Sequence, residues 1–138
     1  MKTTLLTINS PQAIPRALEV LRRGGLVAFP TDTVYGLAAN LFDPDAILRI
    51  YDAKGRENTK AIPVLIGSPE QLPLIALDLP EVALRLAQKF WPGALTLVVA
   101  RQPAIPAELS ATPTVGVRMP KHTFALALMQ QSGPLAVT

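Results

Sequence analysis

The stretch DPDAILRIYDAKGRENTKAIPVLIG, residues 43–67, decides the fold. Asp43 is a good N-cap, and Pro44 suits the first helical position, where a missing N–H does no harm. Ile47, Leu48 and Tyr51 follow as an apolar stripe at helical spacing. Gly55 is a good C-cap, and Lys54 stands where a helix terminus favours a cation. A short polar loop then leads into PVLIG, residues 63–67, an apolar run of the length of a buried strand. A helix that feeds a strand apolar on both faces is the repeating unit of an α/β domain.

The same alternation extends outward. Residues 10–25 carry Ile14, Ala17, Leu18 and Leu21 at helical spacing, with Ser10 as N-cap and Gly24-Gly25 as terminators. LVAFP (26–30) reads as a strand and, being apolar throughout, as a central one covered on both faces like PVLIG. Two helices are expected over 68–76 and 79–91, strands at ALTLVVA and TVGVRM, a helix ended by Gly133, and a last strand starting at PLAVT. Ligands of α/β sheets bind at strand ends.

Composition narrows the chemistry. The chain has 138 residues, enough for one domain with a real core. Apolar residues make up 49% and charged residues 17%, which argues against disorder. Without cysteine there are no disulfides, thiolate metal sites or cysteine nucleophiles, and a single histidine leaves no histidine-based metal cluster. No apolar run approaches the ~18 residues of a membrane span, and MKTTLLTINS does not read as a signal peptide. A soluble cytoplasmic protein is expected. The net charge of +3 fits an ordinary basic domain or one with an anionic partner, nucleic acid or a phosphorylated ligand.

Four stretches could carry chemistry. FPTDTVYGL (29–37) sets Thr31, Asp32 and Thr33 at a strand end, with Gly36 permitting a tight or positive-φ turn. A polar turn bonded to its own backbone explains the same residues. Lys54, Arg56 and Lys60 together resemble a clamp on phosphate or carboxylate groups, although Lys54 alone is accounted for as a helix-end cation. In TVGVRM, Thr114, Gly116 and Arg118 share one strand face, and Gly116 leaves room between the other two. Pairing of Arg118 with a surface carboxylate is the alternative. Trp91 reads as a core aromatic before a Pro-Gly turn, and His122 as a surface or capping residue near a helix start. No Walker A loop and no GxGxxG are present, so any phosphates are held by scattered side chains.

FPTDTVYGLAAN, AKGR with the loop and strand after it, FWPGALTLV, VGVRMP and PLAVT occur in this order and spacing. Together they resemble the threonylcarbamoyl-AMP synthase family, also called YrdC-like proteins, from about residue 10 to the last residue. The resemblance implies an open, twisted mixed α/β sheet with flanking helices around a concave basic cavity. It implies a nucleotidyltransferase that makes threonylcarbamoyl-AMP and pyrophosphate from L-threonine, bicarbonate or CO2, and ATP. The activated group then serves the threonylcarbamoyladenosine modification of tRNA, with partner proteins that use the product. Mg2+ is expected to enter with ATP.

Carried over by position, Thr31, Arg118 and Val137 match threonine-binding residues, Arg118 through the substrate carboxylate. Lys54 and Arg56 match the family's catalytic Lys-x-Arg pair, which handles the phosphates. Asn58, Lys60 and Thr114 match the nucleotide side. The family continues beyond PLAVT with Ser-x-Asn, whereas this chain ends inside an expected strand at Thr138. Residues 1–138 are therefore expected to be one domain truncated at its C-terminus. Two other readings remain: a module of the same fold that binds tRNA or double-stranded RNA, and a domain of a larger carbamoyl-transferring protein. The four Phe, two Tyr and one Trp are few for an RNA binder that stacks bases.

Overall fold

A computed structural model describes residues 2–55 and 60–138. Among the described residues, four α-helices, α1 (Ala13–Arg22), α2 (Pro44–Lys54), α3 (Glu81–Phe90) and α4 (Thr123–Ser132), flank six strands. The strands are β1 (Val27–Phe29), β2 (Gly36–Asn40), β3 (Val64–Leu65), β4 (Leu97–Ala100), β5 (Thr114–Arg118) and β6 (Leu135–Val137). They form one sheet in the order β1-β2-β6-β3-β5-β4. Only β3 and β5 run parallel; every other neighbouring pair is antiparallel.

Strand periodicity sorts the core into two layers. Ala39, Val64, Ala136 and Val117 face α2, which contributes Ala46, Ile47, Ile50 and Tyr51. Their neighbours Ala38, Leu65, Leu135 and Val137 face the opposite way, onto Ala17 and Leu21 of α1 and Ala125, Leu128 and Met129 of α4. The sheet is thus covered on both faces. No helix among the described residues is long and apolar enough to cross a membrane.

Helix α2 forms as its sequence predicts. The Asp43 carboxylate accepts the Ala46 N–H at 3.1 Å, and Gly55 closes the helix in the left-handed region at φ 60°. Its buried stripe is Ile47, Ile50 and Tyr51, however, and Leu48 is 37% exposed.

Three other expectations are corrected, and one strand is added. PVLIG holds a central strand, but LVAFP holds an edge strand. In β1 only Phe29 is buried, and Ala28 is exposed; a short apolar run does not distinguish edge from centre. The strand beside it, β2, comes from GLAAN, whose small and polar residues carry weak strand preference. Residues 69–74 form a 3-10 helix, because Pro73 lacks the N–H that an α-helix needs there. Ser10 lies upstream of the α1 N-cap, Gln12, and its hydroxyl accepts the Gln12 N–H.

Candidate functional site

The loop between β1 and β2, residues 30–35, folds over the sheet and walls a cavity of about 300 Å³. Thr31, Thr33 and Tyr35 line it from the loop, Leu65 and Val137 from β3 and β6, and Arg118 from the end of β5. Gly36 belongs to strand β2, and its φ is not among the positive ones. Its need is for close approach: a Cβ there would collide with Cγ1 of Val137. On β5, a Cβ at Gly116 would come within 3.2 Å of Thr96 Cγ2.

Arg118 is only 9% exposed, and a charge that far from water needs partners. It has them. Nη1 donates to Asp32 Oδ1 at 2.8 Å and to the Gly93 carbonyl at 3.0 Å, and Nη2 donates to Thr33 Oγ1 at 3.2 Å. A guanidinium cannot accept, so the direction of the hydroxyl chain follows. Thr31 donates to the Val34 carbonyl at 2.6 Å. The 3.2 Å contact between the two threonine hydroxyls therefore runs from Thr33 to Thr31. The order is Arg118, Thr33, Thr31, Val34 carbonyl. Thr31 Oγ1 also accepts the Thr33 N–H at 3.2 Å, which leaves its hydroxyl saturated.

Burial would raise the pKa of the Asp32 carboxyl. That effect is outweighed by the Arg118 hydrogen bond, the Lys121 backbone N–H, the Arg118 charge and the residue's own N–H, which together lower it below 3.8. Asp32 is ionised at neutral pH and balances Arg118.

The sequence-predicted residues fall into two groups. Thr31, Arg118 and Val137 share the cavity. Lys54, Lys60 and Thr114 do not line it. Lys54 is exposed on the last turn of α2, with no hydrogen bond or ion pair among the described residues. Lys60 is exposed, and its carbonyl accepts the Tyr51 hydroxyl at 2.8 Å. The same hydroxyl lies 3.2 Å from the Glu108 carbonyl. Thr114 opens β5 and joins a hydroxyl ladder through Thr112 (2.9 Å) to Ser110 (3.0 Å). These bonds bring the segment of Lys60 close to the one that carries Thr114. Arg56 and Asn58 lie outside the described residues.

His122 is the N-cap of α4, its Nδ1 accepting the Ala125 N–H at 3.3 Å. Trp91 packs against the core and donates Nε1–H to the Leu95 carbonyl at 2.7 Å. The positions carried over from the family resemblance left out Asp32, Thr33 and Gly93. Asp32 and Thr33 were visible beside Thr31 in the Thr-Asp-Thr run, but the Gly93 carbonyl had no residue-level signal, since every residue carries one.

A mixed sheet covered on both faces, with a cavity at its strand ends and an arginine clamped at its wall, defines an open-sheet α/β domain. The Sua5/YciO/YrdC family model, described as "Telomere recombination", matches residues 19–138, and the chain belongs to that family. It is 48% identical over 113 residues to the threonylcarbamoyl-AMP synthase of Pyrococcus abyssi, covering 81% of this chain and 33% of that protein. It is 44% identical over 137 residues to the Bacillus subtilis threonylcarbamoyl-AMP synthase, covering 97% of this chain and 39% of that protein. Among solved structures, P. abyssi Sua5 complexed with L-threonine superposes with a TM-score of 0.90 at 42% identity, covering 98% of this chain and 39% of that one. The chain thus spans about a third to two fifths of the length of these relatives.

Proposed function

We propose that the full-length protein is an L-threonylcarbamoyladenylate synthase, and that the cavity at the end of β5 is its threonine pocket. The observation that carries this reading is Arg118: a nearly buried guanidinium, held by fixed partners, in a cavity of small-ligand size lined by threonine hydroxyls. The likeness to a Sua5 solved with L-threonine supports it.

In this reading the threonine carboxylate pairs with Arg118, while Thr31 and Val137 shape the pocket around the side chain. The threonine amine captures CO2, supplied as such or from bicarbonate, and loses a proton to become a carbamate. A carbamate oxygen attacks the α-phosphorus of ATP, the bond to the β-phosphate oxygen breaks, and pyrophosphate leaves. Two anions must meet, so the work of the site is charge neutralisation and alignment. Lys54 and Arg56 serve the phosphates, with Asn58, Lys60 and Thr114 on the nucleotide side. The proximity of the Lys60 and Thr114 segments supports a shared role. Mg2+ enters with ATP and neutralises phosphate charge. Such a metal would be carried mainly by phosphate oxygens and water. The product goes to partner proteins that modify tRNA, and the setting is the cytoplasm.

The test is calorimetry of L-threonine binding to the full-length protein with and without ATP, together with pyrophosphate release. Mutually enhanced binding, and release that requires ATP, threonine and bicarbonate together, are expected. Absence of threonine binding overturns the reading. Salt-sensitive binding of double-stranded RNA without turnover would establish the RNA-binding module in its place.

A further inference from the structure

We propose that Asp32 is a positioning residue for substrate recognition: from behind the cavity wall it fixes the Arg118 guanidinium so that two N–H groups remain for a ligand carboxylate. The inference rests on the threonine-pocket reading and deepens it.

A guanidinium carries five N–H donors in a rigid plane. Nη1 uses both of its hydrogens, on Asp32 and on the Gly93 carbonyl, and Nη2 uses one, on Thr33. The second Nη2 hydrogen and the Nε–H make no hydrogen bond among the described residues. Two donors match the two oxygens of a carboxylate. Which donors stay available is decided by what holds the others, and among the described residues the shortest and only charged contact is the one to Asp32, at 2.8 Å.

Asp32 is built for holding and not for touching a ligand. It is absent from the cavity lining, although Thr31 and Thr33 on either side of it line the cavity. Its side chain is 18% exposed, and its charge is tied to Arg118 at 2.8 Å. The carboxylate therefore has a fixed place of its own. It also sets the charge: with Asp32 ionised, the Arg118 charge at the cavity wall is already balanced, so a zwitterionic amino acid enters without leaving a net buried charge. The Thr33–Thr31 hydroxyl order follows from the same anchor, because Arg118 donates to Thr33.

The experiment compares L-threonine with L-threoninol, which has a hydroxymethyl group in place of the carboxylate, on the full-length enzyme. Wild type should bind threonine at least about tenfold more tightly than threoninol, as expected for a charge-assisted bidentate contact. In Asp32→Ala the threonine Kd should rise at least about tenfold, while the threoninol Kd and the KM for ATP stay within about twofold. Asp32→Asn keeps the size and an acceptor oxygen but not the charge, and should raise the threonine Kd about threefold. If Asp32→Ala does not fold, Asp32→Asn carries the same comparison. Wild-type discrimination with an unchanged threonine Kd in the variants overturns the positioning role alone. Equal weakening toward both ligands also overturns it, because that is the mark of general structural damage. Equal wild-type affinity for the two ligands overturns the assignment of the carboxylate to Arg118, and the role of Asp32 with it.

Discussion

The β1–β2 loop with the end of β5, and the end of α2 with Lys60, both present cations, yet they differ in how far those charges are committed. Arg118 is 9% exposed and held by a carboxylate, a carbonyl and a hydroxyl. Lys54 is exposed and makes no hydrogen bond or ion pair among the described residues. A cation already paired inside a fold has its geometry set before any ligand arrives, and it carries stability as well. A cation left in water adds little to stability and keeps its charge available for one that develops during reaction. The two regions should therefore respond differently to the same kind of substitution.

The largest effect is expected at the exposed end. Lys54→Ala should slow pyrophosphate formation on the order of a hundredfold, about 2.7 kcal/mol of barrier, if its ammonium meets phosphate charge in the closed site. Its melting temperature should hardly move, since a helix-end cation contributes only about 0.3–1 kcal/mol. Steady-state turnover and thermal unfolding of the full-length protein measure both. Normal turnover with a lower melting temperature would erase the contrast and leave Lys54 as a helix cap.

Arg118→Met should affect both readouts. It leaves Asp32 partly buried without its cation, at a cost of about 2 kcal/mol. Threonine binding should weaken at least about tenfold, measured by calorimetry. Unchanged stability would mean that the Asp32–Arg118 pair is no firmer than an exposed one.

The smallest effect concerns acid. The Asp32 carboxyl is held below 3.8 in the folded chain, so the unfolded chain takes up its proton first as pH falls. The stability from the pair is fully present above the unfolded value, about 3.9, and is lost as pH drops through the folded one. The difference in unfolding free energy between wild type and Asp32→Asn should be constant from pH 7 to about 5 and shrink below about pH 4. A difference that grows toward acid would reverse the sign assigned to Asp32.

Much of this was legible along the chain. Helix α2 announced itself, because Asp43, Pro44 and Gly55 act on neighbours within a turn. PVLIG read correctly as a central strand, and His122 as a cap. Thr31 and Arg118 were singled out before their proximity was known, from residue type at strand ends and from the family's ordered motifs. The misreadings of strand order share one cause. LVAFP went to the edge and GLAAN to the interior of the sheet because strand order depends on which partner lies alongside, and that partner is distant in sequence.

The sequence by itself determined the four α-helices, the apolar runs of most strands and the family. Each depends on spacing within a few residues or on motifs read in order. Only the tertiary structure decided that Asp32 meets Arg118 across 86 residues, that the Gly93 carbonyl holds the same guanidinium, and that Gly36 gives way to Val137. Contacts of that kind are set by how the sheet twists and the loops close over it, and residue type alone leaves them open.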